Sequence, residues 1–271
     1  MERLLVVNAD DFGFTRDVNE GIVEAHRRGI LTAATLMANG AAFDHAVALA
    51  RENPSLDVGC HLVLVGGRSV LPPHAPLPRG VGGLIAALAL GRVRVYDELA
   101  AQVRKITAAG LKPTHLDTHK HTHLLPPVLE AVARIARESG IRWVRRPFDF
   151  PLGAPGAVPL ALRVTSRGLG FARRRFHRVL SRHGCRTTDH FAGFQITGRL
   201  RTGELKRLIA NLPEGTTELM THPGFCRGDL LASRTRLRRS REDELAALTA
   251  PEVRRELDSR CVRLVGYRDL E

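Results

Sequence analysis

Aromatic side chains make up only 5% of the 271 residues, with a single tryptophan and two tyrosines. A surface that stacks nucleic-acid bases is therefore poorly supplied, and no helix-turn-helix or zinc-finger pattern compensates. Cysteine is also scarce. Cys60, Cys185, Cys226 and Cys261 lie far apart with no C-x-x-C pair, which argues against a disulfide framework or a thiolate zinc cluster and predicts reduced thiols. Long apolar runs are missing too. After Met1-Glu2-Arg3 come only the four residues LLVV, too short for the apolar core of a signal peptide, and the longest later run, LIAALAL, cannot cross a bilayer. The expectation is a cytoplasmic protein.

Acidic residues are the remaining shortage: 28 against 41 lysines and arginines leave a net charge of +13. None lies between Asp149 and Asp189, where Arg163, Arg167, Arg173, Arg174, Arg175, Arg178, Arg182 and Arg186 fall, and a second cluster, RTRLRRSRED, begins at Arg234. Such a surface suits nucleic acid, an anionic membrane or an acidic substrate, and equally a merely solvated basic face. A nucleic-acid-binding basic protein is thus an alternative of a different class, carried by charge alone.

What is present is material for a core. Hydrophobic residues reach 44% and charged residues 25%, the balance of a globular chain, and the length predicts one domain over 1–271. RLLVVNADD reads as a buried strand ending in a loop; DVNEGIVEAHRRG follows as a helix with Asp17 as N-cap, Glu20 at N3 and Gly29 closing it. ILTAATLMANG, AFDHAVALARENP and LDVGCHLVLV continue as strand, helix, strand. After the Pro/Gly-rich excursion PPHAPLPRGVGG, the pattern predicts a helix from about Tyr96 to Ala109, the strand PTHLDTH, a helix opened by Pro126-Pro127, and the strand IRWVRRP. An arginine-rich helical excursion is expected at about 151–186, and helix, strand, helix, strand complete the chain. This alternation favours a parallel α/β sheet or a (β/α) barrel, with chemistry at the carboxyl ends of the strands.

Those ends carry Asn8, Asp10, Asp11, His61, the stretch His115 to His123, Arg145, Arg146 and His222. Adjacent carboxylates at Asp10 and Asp11 repel unless a cation intervenes. A divalent metal held by one leaves the other free as a base toward water. The plain alternative for DDFG is a turn and a helix cap. Histidines tilt the balance, since two imidazoles and a carboxylate hold a metal while leaving positions open. In HLDTHKHTH, residues 115, 117, 119, 121 and 123 share one face of an ideal strand, and five side chains cannot all bind one ion. If the strand frays after Thr118, His119 reaches the ion, Asp117 orients it, and His121 or His123 meets substrate. A helical alternative pairs His119 with His123. His26, His45 and His183 read as ordinary surface or core histidines.

NADDFG, GCHLVLV, KPTHLDTHKHTH, DHFAGF and THPG, in this order and spacing, resemble the YdjC-like carbohydrate deacetylases, a family that includes the chitooligosaccharide deacetylase. The likeness runs from residue 3 to about residue 268. It implies a distorted, TIM-barrel-like (β/α) barrel of one domain, a divalent metal such as magnesium or zinc, and hydrolysis of the N-acetyl group of an amino sugar. Carried over by position, Asp11, His61 and His119 would be metal ligands and Asp10 the general base; analogy with other barrel deacetylases would make His222 the general acid. Asn8, Asp117, His121, His123, Arg145 and Arg146 would bind substrate or support the ligands. HLVLVGGRSVLPP also resembles the hopanoid-associated branch, which implies an N-acetylglucosaminyl lipid as acceptor and a peripheral contact with anionic membrane through the arginine-rich stretch. The soluble saccharide is the preferred acceptor, and a homodimer is the default assembly.

Overall fold

The first strand, β1 (Arg3–Phe12), is buried from Leu5 onward, as a parallel strand covered on both faces should be. This computed structural model describes residues 2–150 and 173–270. After β1 run α1 (Arg16–Arg28), β2 (Ala33–Leu36), α2 (Phe43–Glu52), β3 (Asp57–Leu62), α3 (Val81–Ala89), α4 (Val95–Ala108), β4 (His115–Thr118), α5 (Pro126–Ser139) and β5 (Trp143–Val144). Beyond residue 172 come α6 (Arg173–Arg182), β6 (His190–Ala192), α7 (Thr202–Ala210), β7 (Gly215–Thr221), α8 (Gly228–Ala232), α9 (Arg239–Thr249), α10 (Pro251–Ser259) and β8 (Val262–Leu264). The expected arginine-rich helix is present as α6; the rest of that excursion, 151–172, lies outside the described residues.

Every strand pair is parallel, in the order β5-β4-β3-β2-β1-β7-β6. The two ends meet where Asp149 bridges Phe191 and the Phe150 N–H donates to the Phe191 carbonyl at 2.9 Å. The ring thus closes through isolated backbone contacts, which makes it a distorted (β/α) barrel. β8 lies off the ring and divides one edge of β1 with β2: Arg3 to Leu5 face β8, while Asn8, Ala9 and Phe12 face β2. β7 takes the opposite edge from Arg3 to Ala9.

Strand alternation separates two environments. Leu5, Val7 and Ala9 join the large apolar layer between sheet and helices, whereas Val6 packs with Ala33, Val265 and Tyr267 in a small separate cluster. Above that plug the inner face turns polar with Asn8, Asp10, Thr35, His61, His115, Asp117 and Glu218, all buried. Gly59 serves this arrangement, because a Cβ there would lie 2.6 Å from the His115 ring and from its carbonyl oxygen.

Local details depart from the sequence pattern. Helix α1 begins earlier than Asp17 suggests. Thr15 is the N-cap, its Oγ1 accepting from the Val18 N–H at 3.2 Å, while the Asp17 carboxylate accepts from the Leu230 N–H at 2.9 Å. A tertiary contact therefore occupies the side chain that the local pattern assigns to the cap. β3 stops at Leu62 because the Gln102 side chain takes the next backbone position, accepting from Val63 N–H and donating to its carbonyl, both at 2.7 Å. The Pro/Gly-rich excursion contains the extra helix α3, and Pro251 splits the last helical stretch into α9 and α10.

Candidate metal centre and proton-transfer pair

Adjacent residues of a strand point to opposite faces, so Asp10 and Asp11 should diverge. They converge because the β1–β2 register shifts between Ala9 and Phe12 and Asp11 adopts φ 67°. A left-handed aspartate costs of order 1 kcal/mol or more and persists only when its surroundings enforce it. Here the Asp11 carbonyl accepts from Phe14 N–H at 3.0 Å and Asn19 Oδ1 accepts from Gly13 N–H at 2.6 Å. Arg241 Nη2 holds the carboxylate itself, 2.5 Å from Oδ2.

That grip leaves Asp11 Oδ1 facing two imidazoles. It lies 3.6 Å from His61 Nε2 and 3.4 Å from His119 Nδ1, and the two ring nitrogens are 3.2 Å apart. Donor atoms around a tetrahedral zinc at about 2.0–2.1 Å would be separated by about 3.3 Å, so the triangle has the size of one face of such a site. His119 is partly exposed, which opens the triangle toward the mouth. On the other side His61 Nδ1 meets Asp117 Oδ1 at 2.7 Å, the contact that fixes ring orientation in a metal-binding histidine. Although burial disfavours a charged imidazole, Asp117, Asp10 and Asp11 push His61 up to about 9, so without a cation the ring holds a proton in its place.

A second group, Asp10, His61 and Asp117, also has clustered donor atoms. Its carboxylates already share a cation. Arg145, fully buried, donates to Asp10 at 2.8 and 2.6 Å, to Asp117 Oδ2 at 2.5 Å and to Glu218 Oε1 at 2.7 Å. The triangle is therefore the better metal position. Four buried carboxyl groups share two permanent cations, Arg145 and Arg241, so once His61 gives up its proton to act as a ligand the pocket is short of positive charge in the way a divalent cation would correct.

Asp10 also receives the Asn8 amide at 3.1 Å, and His222 Nε2 stands 3.9 Å from its Oδ2. Burial opposes ionisation of Asp10, but Arg145 and the nearby histidines outweigh it and hold the carboxyl well below its ordinary range. Burial acts the other way on His222, pulling it down to about 4. Its backbone is fixed by Glu244, which accepts from His222 N–H at 2.6 Å and from Gly198 N–H at 3.2 Å and is itself pushed up to about 7 by burial.

The strand does end at Thr118. His119 to Leu124 form a short 3-10 turn in which Lys120 and His121 take φ 55° and 52°. His123 does not join His119. Its Nδ1 meets Thr118 Oγ1 at 2.6 Å and its Nε2 meets the Arg145 carbonyl at 3.0 Å, so it braces the segment bearing the central guanidinium. His115 is likewise internal, bridging Thr114 and Asn8 and stacked 3.9 Å from Tyr267. His121 is buried, its Nδ1 without a partner among the described residues and its ring 6.0 Å from Phe191 and 5.5 Å from Phe194. Arg146 is not drawn into the network; its Nη1 donates to the Asp189 carbonyl. Arg241, Glu218, Glu244, Asn19 and Thr35 complete the site without having been expected there. Thr35 donates to Asp117 at 3.1 Å.

The chain matches the family described as YdjC-like protein over residues 4–259. A carbohydrate deacetylase from Brevibacillus brevis is 35% identical over 271 residues, covering 98% of this chain and 99% of that protein. Among solved structures, a protein described as a cellobiose-phosphate cleavage protein from Enterococcus faecalis V583 superposes with a TM-score of 0.78 at 24% identity, covering 100% of this chain and 99% of that one. An uncharacterized protein from Agrobacterium tumefaciens C58 gives 0.51 at 12% identity, covering 100% and 89%. These two likenesses concern the fold. With the match spanning most of the chain and the full-length relative beside it, this protein belongs to the YdjC-like family.

Proposed function

We propose that this protein removes the acetyl group from an N-acetylated amino sugar by metal-dependent hydrolysis, releasing acetate. The relative named carbohydrate deacetylase supports the reaction class. The observation that carries the mechanism is the donor triangle of Asp11, His61 and His119 beside the Asp10–His222 pair. A divalent cation held there, magnesium or zinc, would acidify water and polarise the acetamide carbonyl.

The chain's own residues handle the proton. Asp10 is ionised at rest and His222 neutral, so neither begins with a proton to give. Asp10 Oδ2 accepts the proton of the attacking water, and His222 Nε2, 3.9 Å away and therefore beyond a direct hydrogen bond, receives it through a bridging water and delivers it to the departing nitrogen. One proton leaves water and one reaches the amine. Arg145 keeps Asp10 oriented, and Asp117 keeps His61 oriented. His121, beside Phe191 and Phe194 and with no partner for its Nδ1 among the described residues, is assigned to the sugar.

The acceptor proposed is a chitooligosaccharide or related saccharide. The test is acetate release from N-acetylglucosamine, its β-linked oligomers and a lipid-linked N-acetylglucosamine, using protein stripped by chelator and resupplied with single metals. Metal-restored release that vanishes in Asp10→Ala and His119→Ala is the expected result, and the best substrate identifies the acceptor. No release with any metal would overturn the assignment.

A further inference from the structure

Helix α3 is unlike the rest of the surface. Its sequence VGGLIAALA has no polar side chain, yet only Leu84 is buried. Ile85 is 50% exposed, Val81 36%, and the adjoining Leu90 62%. Apart from Leu231, no other large hydrophobic side chain among the described residues is as open. A Cβ built on Gly80 or Gly82 would meet nothing within 4 Å, so the side of the helix away from Leu84 is open at its start. Three exposed large apolar side chains gathered on one short segment suit a surface with a partner.

Charge indicates which partner. From Val58 to Tyr96 the chain has no aspartate or glutamate, whereas Arg68, Arg79, Arg92 and Arg94 are all there and all exposed. Of these, Arg94 alone has an ion pair among the described residues, to Asp97 at 3.4 Å. Two copies meeting through this face about a two-fold axis would set one cationic segment against its own equivalent. A phospholipid surface with anionic headgroups matches both properties, taking the apolar side chains into the headgroup boundary and the guanidiniums onto phosphates. The helix belongs to the connection that follows β3, so it sits at the end of the barrel where His61 is presented.

We propose that α3 and its flanking arginines dock the protein on an anionic membrane, with the barrel mouth turned toward the lipid. The contact is peripheral, since no helix among the described residues is long and apolar enough to cross a membrane. It is independent of the reaction assigned to the barrel.

The test is sedimentation of the full chain with phosphatidylcholine vesicles, with and without phosphatidylglycerol, at low and high salt. Binding should require phosphatidylglycerol, fall with salt, and weaken about tenfold in Ile85→Glu/Leu90→Glu and in Arg79→Ala/Arg92→Ala. Thermal unfolding of both double variants should match the parent, because the altered side chains are exposed. Failure to sediment with anionic vesicles overturns the proposal, as does binding that both variants retain. Light scattering covers the remaining occupant: a dimer that dissociates in Ile85→Glu/Leu90→Glu would give the face to a second copy and overturn the proposal equally.

Discussion

Arg241 Nη2 lies 2.5 Å from Asp11 Oδ2, a contact between residues 230 positions apart. It joins α9 to the end of β1 and decides which oxygen of Asp11 remains available to the histidines. Both side chains are buried, so removing the guanidinium strands a carboxylate.

Arg241→Ala should therefore cost about 3–5 kcal/mol in denaturant unfolding without added metal. Part of that loss should return in Arg241→Lys, which restores charge but not the planar fork. If Arg241→Ala unfolds like the parent, the contact is not restraining Asp11.

Asp117→Asn removes the carboxylate that orients His61 through a 2.7 Å contact. Loss of such a partner weakens metal affinity by about 10–100-fold. Competition against a chromophoric chelator measures this directly, and an unchanged affinity would count against the triangle as the metal position.

Glu244 carries a pH signature. Burial raises it from 4.5 to about 7, so between these values the folded protein holds a proton that the unfolded chain has released. Its contribution to stability therefore falls as pH rises through that window and is constant above it, an effect on the order of 3 kcal/mol. Unfolding curves of the parent and Glu244→Gln, compared from pH 4.5 to pH 7.5, should differ by an amount that grows along this slope. Parallel curves would place the carboxyl at its ordinary value.

Gly59→Ala places a Cβ 2.6 Å from both the ring and the carbonyl of His115. Backbone and ring must both shift, at a cost of about 1–3 kcal/mol. Since His61 lies two residues on and Asp117 pairs with it across β3 and β4, metal-dependent acetate release should fall as well. A variant with parent-like melting and turnover would show that this region yields freely.

Strand alternation and helix punctuation made the barrel legible. The polar endings of strands β1, β3, β4 and β7 were visible as residue types, which is why Asp11, His61 and His119 could be collected before their geometry was known. Tertiary partners left no such trace. Arg241 sits in an arginine-rich cluster with nothing to separate it from its exposed neighbours, and Glu218 reads as an ordinary strand residue in TTELMT. Asp17 shows the opposite failure. Its local pattern suits a cap, but a distant backbone amide claims its carboxylate and Thr15 caps instead. Helix α3 was hidden by the glycines and prolines before it, which resemble a loop.

The sharing of Arg145 among Asp10, Asp117 and Glu218 also constrains how this site can change over generations. Replacing the arginine alone abandons three buried carboxyl groups, and replacing any one of them alone alters the balance for the other two. Single steps away from the quartet cost stability before a compensating step can occur. Descendants that take up a new acceptor should therefore vary at the rim, around His121 and Phe194, while the quartet is inherited as one heritable character.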